Sequence, residues 1–213
     1  MTVPAIWLGR VRHADAVAAQ EARRDRVLGG DDGAQAVLLC EHDPVITLGR
    51  NANGANVVAG AVELGAQGVE VVQASRGGDV TYHGPGQLMI YPVVRLRSVV
   101  GFLETCAAAI AQTCAAFGAP GAAWRRDPAG LWLGDAKLAA CGIHVARGVS
   151  VHGFALNVAT PADAWRTIRP CGLSVAQISL VEAVAGTASA PPSVEAVARE
   201  LGPRLACALG SLG

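Results

Sequence analysis

The chain is 213 residues long, and at roughly 150 residues to a domain that is enough for one hydrophobic core. Hydrophobic residues make up 52% and charged residues 16%, with 26 Gly and 11 Pro, which excludes a disordered chain and a coiled coil. The 17 basic and 17 acidic residues cancel, so no attraction of the whole molecule to nucleic acid or to an anionic membrane is expected, and a charged partner must meet a local patch.

The start, Met1 to Leu8, has no basic segment ahead of its short apolar stretch, and no apolar run is expected to reach the ~18 residues of a membrane span. A cytoplasmic protein follows. The 6 cysteines, Cys40, Cys106, Cys114, Cys141, Cys171 and Cys207, contain no Cys-x-x-Cys pair. Neither a disulfide framework nor a zinc site is indicated, and free thiols suit a reducing compartment.

Residues 3–8 read as a strand and 14–28 as an amphipathic helix stopped by Gly29-Gly30. Strands at 36–40 and 45–48 flank a turn at Asp43-Pro44, and 69–73 reads as another strand. A glycine-rich loop from Arg76 to Gln87 leads into an apolar strand at 88–94. Ser98 then caps a helix in which Val99, Phe102, Leu103, Cys106, Ile110, Cys114 and Phe117 recur at spacings of three and four, until Gly118 ends it. Cys106 and Cys114 lie on its apolar stripe and read as core thiols. Residues 130–133, 137–145 and 149–158 read as three strands, the last two joined by a tight hairpin at Ala146-Arg147-Gly148. A short helix near 179–185, a break at Pro191-Pro192 and a helix capped by Ser193 complete the chain. Strands and helices mix without strict alternation, which predicts an α+β fold, a mixed β-sheet with packed helices, in a single domain over residues 1–213.

Of the 17 basic residues all but one are Arg; the exception is Lys137. An amine differs from a guanidinium chiefly in being able to lose its proton. A coding bias against lysine leaves the same pattern by chance, so position must decide. Lys137 opens an apolar strand and begins in a poorly hydrated setting. In the loop, Gly77, Gly78, Gly84, Pro85 and Gly86 let backbone N–H groups approach a ligand closely. The loop lacks the Lys-Ser/Thr ending of a P-loop and the G-x-G-x-x-G spacing, and a plain turn stays open as an alternative.

Cys171 stands between Pro170 and Gly172, on a constrained turn instead of a packed stripe. A thiol is mostly protonated at neutral pH, and an adjacent cation such as Lys137 favours the thiolate. Cys141 is four residues beyond Lys137 on the same predicted strand face, about 13 Å away at ~3.3 Å per residue, and reads as packing or pocket wall. His13 and His42 read as surface or loop residues, and His83 and His152 as site groups. No spacing supports a metal.

The loop Arg76-Gly77-Gly78-Asp79-Val80-Thr81-Tyr82-His83-Gly84-Pro85-Gly86-Gln87, with Lys137-Leu138-Ala139-Ala140-Cys141-Gly142-Ile143, His152-Gly153-Phe154-Ala155-Leu156-Asn157-Val158, Pro170-Cys171-Gly172 and His42-Asp43-Pro44-Val45, resembles the lipoyl(octanoyl) transferases. The match runs in order over most of the chain and leaves out the last forty residues. The resemblance implies a biotin/lipoate protein ligase-like fold. It also implies transfer of an octanoyl group from octanoyl-acyl carrier protein to a lysine of lipoyl domains, in 2-oxoacid dehydrogenase complexes and the glycine cleavage H protein. By position, Cys171 resembles the acyl-thioester nucleophile and Lys137 its pKa-lowering partner and proton acceptor. Arg76, Gly77, Gly78, Asp79, Val80, Thr81, Tyr82 and His83, then Ala140, Cys141 and Gly142, then Gly153, Phe154 and Ala155, resemble the substrate-binding walls. No cofactor, no metal, no nucleic acid and no membrane are implied, and a monomer is expected. The alternatives are an ATP-dependent lipoate ligase of the same fold, which would not need Cys171, and a non-catalytic acyl- or carrier-binding module.

Overall fold

The turn at Asp43-Pro44 sends the chain from one sheet into another. The structure, a computed structural model, describes residues 3–169, 175–186 and 191–211. Among these, the larger sheet has seven strands, in the order β1 (Ala5–Val11), β2 (Ala36–His42), β6 (Gln87–Val93), β10 (Val149–Asn157), β9 (Ala136–Ala146), β8 (Ala129–Leu133) and β7 (Ala123–Arg126). The smaller has three, in the order β4 (Glu70–Gln73), β3 (Val45–Leu48) and β5 (Val80–His83). The pairs β1–β2 and β3–β4 are parallel and the rest antiparallel, so both sheets are mixed, as an α+β chain predicts.

Five helices are described: α1 (His13–Leu28), α2 (Ala61–Ala66), α3 (Val99–Ala116), α4 (Leu180–Ala183) and α5 (Val194–Gly210). One face of the large sheet carries α3 and α5. Phe102, Cys106, Ile110 and Cys114 of α3 and Val197, Leu201 and Leu205 of α5 bury there against Leu88, Ile90, Leu131, Phe154 and Leu156. Each such side chain stabilises by roughly 1.5–3 kcal/mol through the apolar surface it removes from water. The opposite face is covered in part by α1, whose Ala16 packs with Leu38, Cys40, Met89, Tyr91 and Ala155. What α1 leaves uncovered becomes the cleft.

Local signals act as the sequence predicts. The Ser98 hydroxyl accepts from the Gly101 N–H at 3.2 Å, and Gly118, at φ +93°, ends α3. The Ser193 hydroxyl accepts from the Ala196 N–H at 3.1 Å to start α5, and α4 carries a cap that the sequence reading does not name, reciprocal between Ser179 and Glu182. Other expectations are corrected. The stretch 76–87 is not all loop, because Val80–His83 pairs with β3 as β5. Strand β7 carried no recognisable pattern. Helix α3 is 18 residues long with mean hydropathy 1.5, long and apolar enough to cross a membrane by length and composition, although no such run was expected. Its apolar stripe instead meets α5 and the sheet.

Candidate active site

The floor of the cleft is a patch of small residues on the α1 face of the large sheet. The registers align Ala140 with Ala155 and Met89 across β9, β10 and β6, and Gly142 with Gly153 beside them. Small side chains here keep the floor low. A Cβ on Gly153 would overlap the Ile90 carbonyl oxygen of β6, and one on Gly142 would stand 3.0 Å from the Gly77 carbonyl oxygen. The walls are the start of α1 at His13, the small sheet with the loop before it, and the turn from β7 to β8. Together they enclose about 490 Å³, the size of an ordinary small-molecule site.

Lys137 reaches this face because strand β9 is irregular. Gly130 pairs with Ala140 and Leu131 with Ala139, but Trp132 then pairs with Lys137, so β9 carries one extra residue at Leu138. Lys137 thereby shares the face of Ala140 and Gly142, while Leu138 and Ala139 join the core under α3 and Cys141 packs against that core and also borders the cleft. Regular alternation had placed Cys141 on the Lys137 face; the bulge reverses that. Burial in this core pushes the Cys141 thiol up to about 12, with Lys137 acting weakly against it.

Lys137 is 8% exposed, and its ammonium donates to the Ala129 carbonyl at 3.2 Å. Its backbone N–H donates to Ala176 at 2.8 Å, and its carbonyl accepts from Ile178 at 3.1 Å, so residues 176–178 lie along the start of β9. Cys171 lies outside the described residues.

The glycine-rich segment divides between cleft and scaffold. Gly78, Asp79, Val80, Thr81 and His83 line the cleft with Arg76. The Arg76 guanidinium also holds the loop to the small sheet: Nε and Nη2 donate to the Thr47 hydroxyl at 3.0 and 2.7 Å, Nη2 to the Thr47 carbonyl at 2.6 Å and Nη1 to the Gly77 carbonyl at 3.0 Å. Gly77 docks the loop on β9, its N–H donating to Ile143 at 2.9 Å, and does not reach the cleft. Asp79 accepts from the Asn53 backbone at 2.9 Å and from the Asn56 amide. Tyr82 turns away from the cleft, edge-on to Trp165 in the core of the small sheet. Phe154 borders the cleft but packs with Trp124 on the α3 side, leaving Gly153 and Ala155 as the floor.

Sequence reasoning missed the inner end. His42, expected at the surface, is fully buried: its Nδ1 donates to the Val11 carbonyl at 2.8 Å, which leaves Nε2 to accept from the Tyr91 hydroxyl at 2.8 Å. His13 stands edge-on to His42 at 5.5 Å between ring centres, and His83 at 6.3 Å. Burial, with the nearby Arg76 charge, holds His83 well below the usual imidazole range. Burial, then His42 and Arg76, lowers His13 to about 4, and burial, then His13, Arg76 and His144, does the same to His152. The inner end therefore presents neutral imidazoles with Met89 and Tyr91. Only adjacency to a buried Tyr could have signalled this, and no local pattern reveals it.

A cleft with an apolar small-residue floor, neutral inner walls and a buried amine at the opposite turn suits an acyl chain carried to a nucleophile. Residues 13–204 match the family described as Lipoyl protein ligase A/B catalytic domain. An octanoyltransferase of Nitratidesulfovibrio vulgaris is 41% identical over 197 residues, covering 90% of this chain and 89% of that one. Among solved structures, lipoate-protein ligase A bound with ATP superposes with a TM-score of 0.76 at 12% identity, over 99% of this chain and 86% of that one. A bipartite lipoate protein ligase of Thermoplasma acidophilum, described with its E2 lipoyl domain, gives a TM-score of 0.72 at 15% identity, over 99% and 84%. The biotin protein ligase of Aquifex aeolicus shares the fold more distantly, with a TM-score of 0.56 at 12% identity, over 98% and 71%. The fold is thus that of the lipoate and biotin protein ligases. Within that class, the chain belongs to the octanoyltransferases of the lipoyl protein ligase A/B catalytic domain family, and is an acyltransferase.

Proposed function

We propose that the chain, as one catalytic domain over residues 1–213, moves an octanoyl group from octanoyl-acyl carrier protein to a specific lysine of lipoyl domains through a thioester on Cys171. This is the first step in assembling the lipoate cofactor. The Cys171 thiolate attacks the donor thioester and the carrier thiol leaves, an exchange of one thioester for another that needs no ATP. The acceptor lysine then attacks the acyl-enzyme, the Cys171 sulfur leaves, and neutral Lys137 takes the proton that the amine sheds. Arg76, Gly78, Val80, Ala140, Gly142, Gly153 and Ala155 hold the chain; burying it is worth about 0.8 kcal/mol per methylene, enough to select length. Cys141 and Phe154 border the chain beside these residues, and Gly77 and Tyr82 support the walls from behind.

The observation that carries this reading is the one lysine of the sequence, buried at the cleft with its backbone bonded to residues 176 and 178. Cys171 and Ala176 are five residue steps apart, so chain length alone keeps them within roughly 18 Å. The acceptors we propose are the lipoyl domains of 2-oxoacid dehydrogenase complexes and the glycine cleavage H protein. The lipoyl domain of the Thermoplasma system supports that class. The compartment we propose is the cytoplasm, whose reducing conditions suit the five free cysteines among the described residues.

Intact-mass spectrometry after incubation with octanoyl-acyl carrier protein tests the proposal. One octanoyl adduct, mapped to Cys171 and discharged by a lipoyl domain, is expected. A Cys171→Ser protein that octanoylates a lipoyl domain at full rate with ATP and free octanoate would establish the ligase reading instead, and tight carrier binding without any adduct the binding module.

A further inference from the structure

The Lys137 ammonium stands 5.0 Å from the centre of the Trp132 ring, its neighbour in the β8–β9 register. The indole N–H of Trp132 donates to the Pro128 carbonyl at 3.1 Å. One side chain therefore offers the amine a π face and also pins the turn whose next carbonyl, that of Ala129, accepts from the amine. The same ring carries a second cation, the Arg125 guanidinium at 4.8 Å.

We propose that Trp132 is a positioning residue for Lys137: with the Ala129 carbonyl it fixes where the ammonium stands and how tightly it holds its proton, and Arg125 acts against it through the shared ring. The inference rests on Lys137 being the proton acceptor. A cation over an indole face is stabilised, and so is an ammonium that donates to a carbonyl, so both contacts favour the charged amine that burial disfavours. Arg125 is a like charge competing for the same quadrupole. Among the described residues, the other titratable groups near Lys137 are Arg126 and Asp127 at the turn into β8 and Cys141 on β9; residues 175–178 bring no charge.

The balance is read from single-turnover discharge of the octanoyl-enzyme to a lipoyl domain, followed across the pH range in which a lysine titrates. Trp132→Phe keeps a weaker ring and loses the indole N–H. Its rising limb is expected to move to lower pH by roughly half a unit to one unit. Arg125→Gln removes the competing cation and is expected to move the limb to higher pH. Arg125 is a surface side chain, so this variant carries the test even where Trp132→Phe fails to fold. Lys137→Ala is expected to abolish the limb. If it does, and the limb stays in place in the other variants, or the rate falls with the limb unmoved, Trp132 acts only as scaffold and the inference is overturned. If the limb survives in Lys137→Ala, the assignment of Lys137 itself fails.

Discussion

Four imidazoles crowd the inner end of the cleft, His13, His42, His83 and His152, and burial makes every one harder to protonate than a free histidine. In the unfolded chain they take up protons near pH 6.5, whereas His13 and His152 in the folded chain do so only near 4. Acidification therefore loads protons onto the unfolded chain first. Stability is full above about pH 6.5 and falls as pH drops toward 4. Urea midpoints are expected to decrease steadily over that window, and His152→Asn, with an Asn that tolerates the left-handed backbone of φ +60° at this site, should flatten the slope by up to one proton. A midpoint independent of pH between 7 and 5 would show that these rings titrate normally. The cluster was illegible in the sequence because its contacts are distant. His42 meets Tyr91 across 49 residues, and the Lys137 ammonium finds its ring across a strand pair whose register no local pattern gives. Lys137 itself was legible, since composition singles it out.

At the scale of elements, the β9–β10 hairpin shows what a short sequence can declare. Arg147 at φ +48° and Gly148 at φ +82° form a two-residue turn with both central residues left-handed, the geometry that matches strand twist. Glycine suits the second position and arginine strains the first. Arg147→Asn is expected to stabilise the protein by about 0.5–1 kcal/mol, read as a raised denaturation midpoint with acyl transfer unchanged. An unaltered or lowered midpoint would mean that Arg147 gains something in this turn that its backbone angle does not reveal. The caps on α3 and α5 were similarly readable, because each Ser acts within three residues of its target. The bulge at Leu138 was not. Leu138 and Ala139 are both apolar and both buried, so the sequence shows an unbroken hydrophobic run and hides the extra residue that brings Lys137 to the cleft.

For the whole molecule, the cleft exists because two sheets are held at a seam, and the seam is polar. Gly77 reaches β9 by one backbone bond, and His83 donates to Gln87, which in turn donates to Asn157, linking β5 through β6 to β10. Arg76 closes the seam by donating to the hydroxyl and carbonyl of Thr47 in the middle of β3. Both residues are buried, so an unpaired donor there has no water to turn to. Thr47→Val keeps the shape of the side chain and deletes the acceptor. We expect it to cost about 2 kcal/mol, more than its volume change explains, and to slow transfer because the loop that walls the cleft is no longer fixed. Removing the guanidinium as well, in Thr47→Val/Arg76→Met, should cost less than the two single changes together, with a coupling of at least about 1 kcal/mol. Equilibrium unfolding of the four proteins measures that coupling. A Thr47→Val chain within about 0.5 kcal/mol of the parent would mean that the hydroxyl adds little to the bonds Arg76 makes to the Thr47 and Gly77 carbonyls, and that these carbonyls alone hold the loop.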